Sequence, residues 1–153
     1  MINKNFYKKT AGFTLLELLI VIGIVAILAT AVIVALNPAR QFSQANNGKR
    51  QADVNTILNS VGQYMVDNKG GLPPSIAALV ADTWGEVCKT AAVSCLALVD
   101  LTVLVPTYVV SMPTDPTGAT TNGAGYEVAR TAANRVRVRA PDAELGVIIE
   151  ISR

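Results

Sequence analysis

Four groups of residues in this 153-residue chain have types and spacings that bear on chemistry. Glu17 stands at the amino-terminal edge of an apolar run, Leu18 to Leu36, broken only by Gly23 and Thr30. A carboxylate deep in hydrocarbon costs several kcal/mol, so an acid in such a run is a functional candidate by default, the other reading being an interfacial Glu tolerated on a plain membrane anchor. Cys88 and Cys95 are the only cysteines. In an extracytoplasmic domain an even count favours a disulfide, worth at best ~2–3 kcal/mol for so short a loop. Free buried thiols are the other reading. Arg130, Arg135, Arg137 and Arg139 form a basic stripe with the charge to contact phosphates, including those of DNA. The blander reading, a solvated sheet face or salt bridges to Glu127 and Glu150, is preferred, since only Tyr126 offers a base a nearby stacking partner. Asp115, Asn122 and Glu127 carry oxygen ligands of the kind calcium takes. Their spacing fits no calcium loop, and Asp115-Pro116-Thr117-Gly118 and Asn122-Gly123 are good turns regardless.

The composition excludes much else. There is no histidine, hence no Ser-His, Cys-His or His-metal site. Two cysteines fall short of the usual four zinc ligands. No phosphate-binding glycine loop follows a strand. Asp142 and Glu144 are close, but they sit in a turn where solvation is the default. The expectation is no enzyme, no cofactor and no metal.

The elements that must position these groups are legible from periodicity. The run to Leu36 is nineteen uncharged residues, about 28 Å of helix, enough to cross a bilayer core. Asn37-Pro38 bends the helix or ends its apolar part. Residues 39 to 53 are mostly polar. Val54, Ile57, Leu58, Val61, Tyr64 and Met65 then share one helical face suited to packing on a domain. Gly70-Gly71 and Pro73-Pro74 stop it. A helix from Phe13 to Asn68 would be about 84 Å long, so its first half needs lipid or a bundle of like helices. Gly23, Ala26, Ala29, Ala31 and Ala35 would allow close approach there, or are ordinary membrane-helix composition.

The rest is one small domain that needs the second half of the helix for its core. Residues 75–81 and 96–104 read as short helices or compact loops. Cys95 to Val110 is apolar but short and interrupted by Asp100, Thr102, Pro106 and Thr107, so a buried loop is preferred over a second span. Tyr126 to Ala129, Arg135 to Arg139 and Gly146 to Ile151 read as an antiparallel meander. Its apolar face is expected to pack on Val54, Ile57, Val61 and Met65. The fold class is α+β, with an expected division into a leader (1–12), a membrane or filament-core helix (13–36), an amphipathic half-helix (37–68) and a head (69–153).

Lys4, Lys8 and Lys9, then Gly12-Phe13-Thr14-Leu15-Leu16-Glu17-Leu18 and the apolar run, closely resemble the precursors of type IV pilins and pseudopilins. The resemblance covers roughly the first third of the chain. A weaker likeness, to a Pro-x-Asp-Pro…Tyr stretch of major pseudopilins and small pilins, lies at Met112 to Gly118 and Gly125-Tyr126. An ordinary secretory signal is cut after its apolar region, and Ala29-Thr30-Ala31 interrupts a run that continues. The resemblance implies a cut between Gly12 and Phe13 by a membrane aspartic peptidase, prepilin peptidase, which methylates Phe13. It also implies that Glu17 meets the amino terminus of a neighbouring subunit. The leader lysines favour a cytoplasmic leader and an outer head. Their loss takes thirteen Lys plus Arg to ten, against eleven Asp plus Glu, so the basic balance belongs to the leader.

The implied function is a structural subunit of a type IV pilus-like filament, stored in the inner membrane and then assembled at the cell surface. Its implied partners are copies of itself, the peptidase, an assembly ATPase and a platform protein. The alternatives are a type II secretion pseudopilin and, in a different class, a monomeric membrane-anchored binding module acting on DNA through Arg135, Arg137 and Arg139.

Overall fold

A computed structural model describes residues 12–153. The leader lysines therefore lie outside the described residues. The chain divides after Ala39 into two compact units.

The first unit is built on α1, Leu15–Leu36. Thr14 caps it, its hydroxyl accepting the Glu17 backbone N–H at 3.1 Å. A Thr three residues before a Glu is the sequence of a helix start, and an acid in the first turn complements the helix dipole. The helix spans about 33 Å and reaches a mean hydropathy of 3.2 over its most apolar window. Among the described residues it is the one helix long and apolar enough to cross a membrane. The Thr30 hydroxyl donates to Ala26 O at 2.9 Å, so the one polar side chain in the run is satisfied within the helix. No residue of α1 is buried. Asn37, left-handed at φ 43°, ends it, and Pro38 opens α2, Pro38–Asp67. Proline suits a first helical turn because the N–H it lacks has no partner there. The expected span from 13 to 68 is thus two helices.

In the second unit α2 buries Val54, Ile57, Leu58 and Val61. Full burial of such a side chain is worth ~1.5–3 kcal/mol. The helix stops as Lys69 and Gly70 turn left-handed and the Gly70 N–H donates to Met65 O at 2.7 Å. A short α3, Pro74–Ala77, follows and buries Ile76.

The sheet has four antiparallel strands in sequence order: β1 Gly85–Cys88, β2 Gly123–Arg130, β3 Val136–Ala140 and β4 Ile149–Ser152. Alternation in β3 buries Val136, Val138 and Ala140 and turns Arg137 and Arg139 outward. Val128 pairs with Val138, and Val138 with Ile151, so the apolar row is continuous across three strands. This face packs with Val54, Ile57, Leu58 and Val61 in one core, and Met65 sits half-buried against it, as the periodicity requires.

Two features differ from expectation. β1 was not foreseen. The last strand starts at Ile149, not Gly146, because Leu145 and Gly146 are both left-handed (φ 60° and 69°) and complete the β3–β4 turn. Residues 95–110 form a loop carrying Val99, Leu101 and Leu104 into the core, with a short 3₁₀ turn at Thr102–Leu104. They do not make a second span.

Candidate functional site

The most deeply built polar feature of the head is Arg50, whose side chain is fully buried. It stands four residues before Val54 and seven before Ile57, in phase with the buried face of α2. Its Nε donates to Asp115 Oδ2 at 2.7 Å and Nη2 to Asp115 Oδ1 at 3.0 Å. Nη2 also reaches Thr117 Oγ1 (2.6 Å), and Nη1 reaches Glu144 Oε1 (3.0 Å) and Asn47 Oδ1 (3.1 Å). All five guanidinium N–H groups are thereby used, which is what a buried arginine requires. Asp115 also accepts the backbone N–H groups of Thr117 and Gly118 at 2.9 and 2.8 Å. Gly125 (φ 77°) lets the β2 backbone lie against this loop, where a Cβ would come within 2.6 Å of Asp115 Cβ. Asn47 locks the β3–β4 turn from both sides, donating to Glu144 O at 2.8 Å and accepting the Glu144 N–H at 2.9 Å. Tyr126, buried, donates its hydroxyl to Asp53 at 2.7 Å.

The electrostatics follow from this geometry. Burial pushes the Asp115 pKa up, but the Arg50 hydrogen bonds and the two backbone donors outweigh it and leave the pKa below the ordinary value. Hydrogen bonds from Ser43, Asn46 and Arg50 lower that of Glu144. The Asp115 hydrogen bond, against desolvation, raises that of Arg50. Burial, then the Asp53 hydrogen bond, raises that of Tyr126. A carboxyl with a depressed folded pKa stabilises the fold fully above its unfolded value, ~3.9 for Asp and ~4.3 for Glu, and loses that contribution as pH falls through the folded value. The head's unfolding midpoint is therefore expected to stay level from pH 7 to about pH 5 and to fall progressively below about pH 4. Thermal melts across pH 2–7 check this, and an unchanged midpoint at the acid end would contradict it.

Cys88 and Cys95 form a disulfide. It closes a loop at the end of β1, and Asn122 Oδ1 accepts the Val93 and Ser94 N–H groups at 3.1 and 3.4 Å. The candidate calcium residues are thus engaged separately: Asp115 with Arg50, Asn122 with the disulfide loop, and Glu127 with Arg139. The arginine stripe is largely paired. Arg137 bonds Glu150 at 2.8 and 2.6 Å, and Arg139 bonds Glu127 at 2.6 Å. Both guanidinium groups lie over the Trp84 ring, 4.8 and 4.1 Å from its centre. Trp84, not Tyr126, is therefore the aromatic partner of the stripe. Arg135 bonds Ser152 Oγ at 3.4 Å, and Arg130 donates to Leu79 O at 2.7 Å.

In the other unit, Gly12 and Phe13 precede the cap of α1, both exposed and outside regular structure, and Glu17 sits in the first helical turn. Residues 7–33 match the family model described as the prokaryotic N-terminal methylation motif. The chain carries the class III signal peptide of type IV pilins and pseudopilins. That motif supports a pilin or pseudopilin precursor, and with the apolar α1 it fits a membrane-anchored one. No curated protein and no solved structure matches the chain. The motif ends at residue 33, before the head begins. The Arg50 clamp was missed in sequence because residues 39–53 are mostly polar and Arg50 does not stand out among them, although its helical phase was the available signal.

Proposed function

We propose that the chain is a structural subunit of a type IV pilus-like filament, cut after Gly12 and methylated at Phe13. The observation that carries this reading is the methylation motif laid over a helix with no buried residue. Such a helix needs lipid before assembly and like helices after it, so apolar contact is exchanged rather than lost. In the fibre core Glu17 pairs with the α-amino group of a neighbour's Phe13, a cation near neutral pH with an isolated pKa of ~7.7–8.0. Prepilin peptidase, an assembly ATPase and a platform protein handle the precursor, whose head lies outside the inner membrane. The head itself supplies packing surface and no catalytic group.

The pseudopilin alternative shares every step up to fibre length. Electron microscopy of the fraction sheared from source cells separates the two. Surface-length fibres containing this chain are expected, whereas a chain found only in the envelope would favour the pseudopilus. The DNA-binding module draws little support, because Arg137 and Arg139 already hold carboxylates and stack on Trp84.

A further inference from the structure

Cleavage after Gly12 needs more of the chain than an exposed peptide. The Gly12 carbonyl is the reacting group. Its carbon gains the oxygen of a water, and the C–N bond to Phe13 breaks. Both water protons end on the Phe13 nitrogen, leaving Gly12 a carboxylate and Phe13 an ammonium. Donors in a peptidase must reach that carbonyl oxygen as charge develops on it, so it has to be free of helical hydrogen bonds.

α1 begins just downstream. Its first backbone bond runs from the Leu18 N–H to Thr14 O at 3.2 Å. Helical geometry would send the Glu17 N–H four residues back, to Phe13 O. It goes instead to the Thr14 hydroxyl, at 3.1 Å. Thr14 itself is extended, with φ −79° and ψ 151°. The hydroxyl thus stands in for Phe13 O and fixes Leu15 as the first helical residue. Gly12 and Phe13 stay outside the helix, with Phe13 79% exposed.

The hydroxyl has a close competitor. At the edge of an apolar helix a backbone N–H finds little water and must be satisfied within the chain. With no hydroxyl at position 14, the nearest acceptor for the Glu17 N–H is Phe13 O. The same four-residue step then gives the Leu16 N–H to Gly12 O. Glycine is about as good a cap as threonine, so the helix start can shift to Gly12. That shift occupies the scissile carbonyl and coils a bond that an extended-peptide site would otherwise bind.

We propose that Thr14 is a positioning residue for cleavage: its hydroxyl caps α1 and so keeps the Gly12–Phe13 bond uncoiled, with its carbonyl free. The inference rests on the reading that the chain is cut after Gly12.

The test uses the full-length precursor in detergent, with source-cell membranes supplying the peptidase and product mass giving the rate and the cut position. Thr14→Val keeps the shape of the side chain and removes the acceptor. Thr14→Ser and Thr14→Asn restore an acceptor, and asparagine does so with a different shape. Thr14→Val is expected to raise KM by roughly five- to thirtyfold and to leave kcat within about twofold, because only the uncoiled fraction binds. Thr14→Ser and Thr14→Asn should stay within about twofold of wild type in both constants. Cleavage of Thr14→Val at the wild-type rate would overturn the role of the cap alone. So would Thr14→Asn as slow as Thr14→Val, or a loss confined to kcat, since either would mean that the peptidase reads the threonine side chain itself. A wild-type chain left uncut, or cut elsewhere, would overturn the processing reading and this inference with it.

Discussion

Arg50→Ala is expected to destabilise the head by ~3–5 kcal/mol, because it leaves Asp115 buried without its cation. Asp115 has no exposed side-chain surface, and Thr117 and Glu144 lose a donor in the same step. Small domains hold only ~5–15 kcal/mol in total, so this is a large share. The thermal midpoint of a head beginning at Arg40 should drop by more than ~12 °C in circular dichroism. Arg50→Lys should recover only part of the loss. A lysine keeps the charge but cannot span Asp115, Thr117, Glu144 and Asn47 with one fork. A midpoint within a few degrees of wild type for Arg50→Ala would mean that the clamp is not what fastens α2 to the Asp115 loop and the β3–β4 turn.

The second large effect is expected at Glu17. Glu17→Leu should leave membrane insertion intact and reduce fibre incorporation by roughly tenfold or more. Two physical terms act together. The proposed partner of the carboxylate, a neighbour's α-amino group, is left alone in a dry core. The variant helix is also more comfortable in lipid, by up to ~3 kcal/mol at a helix centre and less at its edge. Quantitative immunoblots of membrane and sheared fractions measure the partition. Fibres at wild-type yield would show that Glu17 is an interfacial residue tolerated at a helix start, where it also helps the first-turn dipole.

Much of this architecture was legible in the sequence because it is periodic. The apolar run of α1, the Val54-to-Met65 face of α2 and the Val136–Val138 alternation each repeat often enough to fix their element. The salt bridges of Arg137 and Arg139 to Glu150 and Glu127 were also readable: Arg139 and Glu127 are directly opposed, Arg137 and Glu150 are diagonal neighbours on the same face, and both arrangements place long side chains within reach. What escaped was either short or distant. β1 is four residues long and is fixed by its partners, not by its own pattern. Trp84 is recruited to the arginines by the fold. The partners of Arg50 lie 65 and 94 residues away, and no local rule reports a contact of that span. The polar neighbours of Arg50 hid it, although its place in the helical repeat matches Val54 and Ile57. The start of β4 was misplaced because an apolar Gly-Val-Ile-Ile run looks like strand, whereas Leu145 and Gly146 take the left-handed conformation a turn requires.

The central claim is that the chain is cut after Gly12 and built into a fibre through its apolar helix. Intact-mass and amino-terminal analysis of protein sheared from the source cell surface tests it most directly. A chain beginning at Phe13, carrying one methyl group on its amino nitrogen, is expected in a high-molecular-weight fraction. A chain that still begins at Met1 and is found only in membranes would contradict it and leave an uncleaved anchor in its place.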